Sequence, residues 1–213
     1  VRTRKLLTLV EERTLDLRAR NNELETIDRI IKDINKETGL AELLPFMLEK
    51  ALELFPQASG GSFLLYDRID QLFHVTSTSG FDLEEMELIK LTYDEGINRY
   101  TRGSEKVGEG VYVVTEYENL PAEEKFTKLK RPQCMLVMTL VFDGRIEGFL
   151  VLDSLKSPDA FKRSDARKFM RFREHALSAV SKARTLDQLE TIVEERTSEL
   201  VQANEDLIKA RDT

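Results

Sequence analysis

Residues 133–155, QCMLVMTLVFDGRIEGFLVLDSL, decide the fold. Two stretches that are apolar at nearly every position, 133–142 and 145–155, flank Asp143-Gly144. That dipeptide suits a two-residue hairpin turn, in which both central residues take positive φ. A strand with one face in water alternates apolar and polar residues. These two do not, so they are expected to be central strands of a sheet covered on both faces.

Upstream, VYVVTEY (111–117) reads as a third strand, and GGSFLLYD (60–67) with QLFHVTSTSG (71–80) as a hairpin around Arg68-Ile69-Asp70. Between them, residues 81–110 carry one short helical candidate, Leu83 to Ile89, and then a glycine-punctuated stretch, DEGINRYTRGSEKVGEG, read as irregular. LPAEEKFTKLK, before the central hairpin, is polar and reads as a mobile connection. Ahead of the sheet, Leu40, Leu43, Leu44, Met47, Leu48, Ala51 and Leu52 recur at helical spacing. Pro45 lies near the start of that helix, where the missing N–H costs little. Downstream, Ala166, Phe169, Phe172, Ala176, Val180 and Ala183 form the apolar stripe of a helix that meets no breaker before the chain's end. The order predicts an α+β fold: a central antiparallel sheet with helices packed on it, plus long N- and C-terminal coiled-coil helices.

The two ends carry one cassette twice. TLVEERTLDLRARNNEL (8–24) returns as TIVEERTSELVQANEDL (191–207). In the first copy Leu6, Val10, Arg13, Leu17, Arg20, Leu24, Ile27, Ile31 and Ile34 alternate steps of four and three, as do Leu189, Val193, Arg196, Leu200, Ala203 and Leu207 in the second, the a/d pattern of a coiled coil. Arg13, Arg20 and Arg196 interrupt the seams at d positions, which weakens them and suits a helix that changes register or winding for a small free-energy difference. The organisation expected is a coiled-coil helix over 1–37, a separate domain over 38–184 and a second coiled-coil helix over 185–213, paired as a parallel homodimer.

The totals exclude several classes. The 213 residues are 41% hydrophobic, enough for one domain and extra helix. One cysteine excludes a disulfide framework and points to a reducing, cytoplasmic setting for this segment, with tethering of a longer parent left open. No apolar run approaches a bilayer span, so no membrane contact is expected from this segment. A net charge of −7 repels a phosphate backbone, so nucleic acid is not an expected partner. The basic residues between Lys162 and Arg173 read as a solvated helix face. The two histidines, His74 and His175, lie in no kinase phosphoacceptor pattern, and Cys134 opens an apolar strand as a small hydrophobe would. The sequence carries no catalytic constellation, metal set or cofactor motif, and the segment is expected not to be an enzyme.

The middle segment resembles a GAF domain. TGLAELLPFMLEKALELFPQASGGSFLLYD is similar to that family's opening helix and strand, DEG with Ile97 to its mid-domain glycine turn, and DGRIEGFLVLDS with Phe161 and Asp165 to its closing hairpin and helix start. The flanking cassettes resemble signalling helices of bacterial receptors, and ELVQANEDLIKARDT is similar to the linker that precedes the output of sensor histidine kinases and, less typically, cyclases. The resemblance implies a small-molecule site between the sheet and the irregular region, which singles out Ser77, Tyr93, Asn98, Arg99, Tyr100, Arg102, Thr115 and Cys134. It also implies a signature for cyclic nucleotides that this sequence departs from: Asp153-Ser154 stand where Asn-Lys is expected and Ala166 where Glu is. The alternatives left open are a ligand-free spacer that holds the dimer and the regulatory region of a nucleotide or diguanylate cyclase.

Overall fold

The computed structural model describes residues 13–15, 17, 25–34, 39–102, 104–115, 122–126 and 129–211. Helical residues 25–34 (α1) and α2 (Leu40–Leu54) lead into β1 (Gly60–Asp67) and β2 (Leu72–Ser79). α3 (Leu83–Glu87), β3 (Lys90–Thr92) and α4 (Tyr93–Thr101) follow, then β4 (Glu105–Gly108) and β5 (Val111–Val114). A 3-10 turn (Glu123–Phe126) precedes β6 (Cys134–Phe142) and β7 (Arg145–Ser154), and α5 (Arg163–Arg211) follows them. All seven strands form one antiparallel sheet in the order β3-β2-β1-β7-β6-β5-β4.

The central hairpin is where the sequence places it. Asp143 and Gly144 take φ of 52° and 75°, the paired positive values that a tight hairpin turn requires. Because side chains alternate along a strand, β6 and β7 serve two cores at once. Cys134, Leu136, Met138 and Leu140, with Leu150 and Leu152, face a layer made by α1, α2 and the first half of α5. Met135, Val137, Phe149 and Val151 face the other way, toward α3, α4 and the connection before β6. Every one of these side chains is buried, as expected for central strands covered on both sides.

Three expectations are corrected. Residues 93–101 are a helix, not irregular chain: the Thr92 hydroxyl accepts from Glu95 N and the Glu95 carboxylate accepts from Thr92 N, a capping box that satisfies two helix-end donors. Gly96 therefore lies inside α4 and not in a turn; a Cβ there would sit 2.7 Å from the Phe73 ring, so glycine is what lets the helix lie against the sheet. The connection before β6 is not merely polar linker, since Phe126 and Leu129 pack against the second core. The third strand is shorter than read, ending at Val114, and β3 and β4 add two edge strands.

The seam residues divide. Leu6, Val10 and Leu24 lie outside the described residues. Ile27 is taken out of the seam: it is buried with Ile30 and Ile34 in the domain's own core, and Ile31 packs at its edge, so α1 spends this face on its own domain. Leu17 is exposed. On α5, Leu189, Val193 and Leu200 are exposed together with Ile192 and Val201, an apolar stripe in water along a helix of 49 residues. Leu207 lies in that helix, its side chain outside the described residues.

Candidate functional site

On the face of the sheet away from α5, the packing leaves a cavity of about 320 Å³. Its floor is Ser62 of β1, Met135 of β6 and Val151 and Asp153 of β7. Phe81 and Met86 close one side, Arg99 and Tyr100 reach in from α4, and Phe126, Leu129, Lys130, Arg131 and Pro132 close the other. Strand parity builds the floor: Met135 pairs with Asp153 across β6 and β7, and Val151 lies two residues from Asp153 on the same face. A cavity of this size is at the lower end of the range for small-molecule sites, and its mix of apolar walls with a few convergent polar groups is the usual one.

Arg99 is 3% exposed, with its guanidinium carbon 3.5 Å from the centre of the Phe126 ring and 5.9 Å from that of Tyr100. The capping box fixes where α4 begins and hence which of its residues point inward; a guanidinium against an aromatic face gains from the ring's negative quadrupole. Asp153 is 7% exposed. Burial pushes its carboxyl up to about 7, against the pull of Arg99's charge, so near neutral pH it exists in both protonation states. Burial likewise pushes the Tyr100 phenol up to about 12, which keeps it a neutral hydroxyl.

The residues singled out from the sequence end in different places. Arg99 and Tyr100 line the cavity. Ser77 is buried on β2, and Tyr93 packs edge-on to Tyr66 and stacked on Phe73, under the Arg145 guanidinium at 4.4 Å. Asn98 is half-buried, and Arg102 and Thr115 are exposed. Cys134 is fully buried on the opposite face, among the helices, with its thiol pushed up to about 11 by burial. Sequence reading misses Ser62, Phe126, Lys130, Arg131 and, above all, Asp153. A signal is available: Asp153 shares strand parity with Val151, a charge ending an apolar strand on a face already required to be covered.

A second polar group lies where α5 leaves the domain. Glu147 of β7 is buried and accepts hydrogen bonds from Arg68, beside the β1–β2 turn, and from Arg184 Nη1 of α5 at 2.5 Å. Burial pushes its carboxyl up, but the two guanidinium groups outweigh that and hold it below the usual carboxylate range. Among the described residues, one group could bring three metal-ligand atoms within 4.8 Å of one another: Asp67, Asp70 and His74 at the β1–β2 turn. Local bonds account for it, since Asp67 and Asp70 accept from Ile69 N and Leu72 N and Asp70 also meets His74 Nε2 at 2.6 Å.

An antiparallel sheet carrying a ligand-sized cavity on one face and helices on the other defines a domain that can hold a small molecule apart from its helical connections. Solved structures that it resembles give that class a name: the chain has the GAF fold. It is similar to the GAF domain of a phosphoenolpyruvate-protein phosphotransferase from Acinetobacter, at 20% identity over 78% of this chain and 96% of that one, with a TM-score of 0.59. The GAF domain of a putative sensor histidine kinase from Pseudomonas syringae pv. tomato matches at 14% identity over 84% and 97%, TM-score 0.55. The free methionine-R-sulfoxide reductase of Neisseria meningitidis, solved in complex with its substrate, matches at 18% identity over 77% and 91%, TM-score 0.60. No protein-family model matches the chain, and no curated protein does. Among the described residues, no helix is long and apolar enough to cross a membrane.

Proposed function

We propose that this chain is a non-catalytic sensory and dimerisation module, in which a small molecule held in the cavity alters the helix that leaves the domain and so the activity of an output domain. The observation that carries this reading is the shared use of β6 and β7: Met135, Val151 and Asp153 floor the cavity, while their immediate neighbours Leu136, Leu150 and Leu152 pack in the core with α5. A strand displaced by a ligand on one face must move the side chains of the other, because a close-packed core does not deform smoothly. The Arg184–Glu147 pair ties α5 to β7 at the exit point.

The partner is a second copy of the chain, joined in parallel through Leu189, Val193, Leu200 and Leu207 of α5; the first three are exposed, and a helix gains by burying apolar side chains that lie in water. The output domain is a sensor histidine kinase, on the resemblance of residues 199–213 to the linker that precedes such kinases. A reductase like the Neisseria protein is the competing reading. Thiol-based sulfoxide reduction requires a thiolate at the substrate, and the chain's one cysteine is buried on the far face from the cavity.

Equilibrium sedimentation of this chain at micromolar concentration tests the dimer: two copies are expected, and Val193→Asp together with Leu200→Asp should return it to one. In a Leu200→Cys variant, oxidation should link the two copies through position 200 if the helices run parallel. A monomer at these concentrations, with α5 intact, sinks the proposal.

A further inference from the structure

We propose that the cavity takes a small monocarboxylate with a flat apolar body, the body lying between the Met135–Val151 floor and Phe81, Met86 and Phe126, the carboxylate on Arg99 beside Asp153. This deepens the sensory reading and rests on it. Three observations carry it. The cavity gathers three cations, Arg99, Lys130 and Arg131, against one acid, Asp153, in a chain whose net charge is −7. That local reversal favours an anion and opposes an amine; Lys130 and Arg131 are exposed, where they would steer the anion inward. The innermost cation is a guanidinium, whose planar fork matches a carboxylate's two oxygens. The remaining wall is largely apolar or aromatic, which suits a body without further charge.

Asp153 selects among anions. A phosphate monoester carries about −1.5 to −2 near neutral pH and would bring that charge against Asp153. A carboxylate brings one charge, and two carboxyl groups side by side hold one proton between them. The groups that face Asp153 are Arg99 and Tyr100 from α4, Lys130 and Arg131 from the connection before β6, and, through the sheet, the thiol of Cys134. Burial keeps Tyr100 and Cys134 neutral, and Asp153, at about 7, is the group whose state changes between pH 6 and 8. Anion binding favours its protonated form. Binding therefore takes up a proton wherever the free site has lost it, and affinity falls as pH rises through 7.

Calorimetric titration of the chain with phenylacetate, phenylacetamide and phenylethylammonium at pH 6 and pH 8 tests this. Phenylacetate is expected to bind at least about tenfold more tightly than the other two at pH 6, and about tenfold more weakly at pH 8 than at pH 6, one proton's worth of linkage. Asp153→Asn should bind phenylacetate with that pH dependence removed. Arg99→Met, with folding checked by circular dichroism, should lose the preference for the acid over the amide. Should Arg99→Met fail to fold, the Asp153→Asn pH profile still decides. Equal affinity for acid and amide, tighter binding of the amine, tighter binding of inorganic phosphate titrated in the same way, or silence from all three organic probes overturns the carboxylate class. The sensory reading falls separately, if a fragment set of mixed charge leaves the backbone amides of Met135, Val151 and Asp153 unmoved in the NMR spectrum.

Discussion

The two faces of the sheet are made by the same strands and do different work. Toward α1, α2 and α5 the side chains of β6 and β7 are buried and largely apolar, joined by the neutral Cys134 thiol, the Ser154 hydroxyl opposite it and, where α5 leaves the domain, the Glu147 carboxylate paired with Arg184. Toward α3 and α4 the alternate residues include a buried aspartate, and a buried arginine meets them from above. The first face maximises apolar burial and sets stability. The second gives some of that up, keeping a cavity lined by the buried Arg99, Tyr100 and Asp153, groups that a well-packed apolar interior would exclude. If that contrast is right, substitutions on the two faces should have opposite signs.

The largest effect is expected on the packed face. Phe172 is fully buried and stacks on Phe169 at 6.2 Å between ring centres, so Phe172→Ala should cost about 4 kcal/mol of unfolding free energy in urea, from lost burial plus the cavity left behind. Next, and opposite in sign, is Asp153→Asn. The Asp153 carboxyl sits at about 7 in the folded chain against 3.8 ordinarily, so between those values the folded state holds more protons than the unfolded. Its contribution then falls as pH rises from about 4 to 7 and is flat above. Asn carries no proton to lose, so Asp153→Asn should be more stable than the parent at pH 8 by on the order of 4 kcal/mol at most, with the difference gone near pH 4. A parent whose stability is level across that range would show that the cavity face holds no buried carboxylic acid.

The smallest of the three sharpens the link between the faces. Arg184→Met removes one of two guanidinium partners from buried Glu147 and leaves Arg68 in place, so the loss should be about 2 kcal/mol, below the roughly 3–5 typical of a buried charge left alone. The informative readout is hydrogen exchange along 186–206, which should speed up relative to α2. If exchange there is unchanged, the ion pair holds stability but does not hold the helix to the sheet.

How much is readable in advance follows from the same physics. The central hairpin is, because Asp143-Gly144 allows two positive φ values in succession and because a strand buried on both faces is apolar at nearly every residue. α4 is not, although its capping box, Thr92 to Glu95, stands in the sequence. The helix buries Gly96, Arg99 and Tyr100, and a face made of a glycine, an arginine and a tyrosine gives no apolar period. Gly96 reads as a turn for its freedom of φ, whereas its use is the space its missing Cβ leaves for Phe73. Arg99 and Tyr100 stand out as anion- and ring-binding types, and both line the cavity. Asp153 stands out only as a departure from a signature. Its role depends on which residues of a distant helix and loop converge on it, and contacts of that kind leave no local trace. Ile27 misleads in the opposite way: a heptad position states that a face is apolar, and leaves open whether its own domain or a second chain covers it.

In the proposed mechanism, occupancy of one face of the sheet reaches the helix on the other. Its most direct test is the distance between nitroxide labels at position 200 in the two copies, using Leu200→Cys in a Cys134→Ala background, measured by pulsed dipolar spectroscopy without ligand and with saturating phenylacetate. A single short distance is expected in the free dimer and a shifted or broadened one in the bound state. The same distribution in both, with binding confirmed by calorimetry in the same sample, would contradict it.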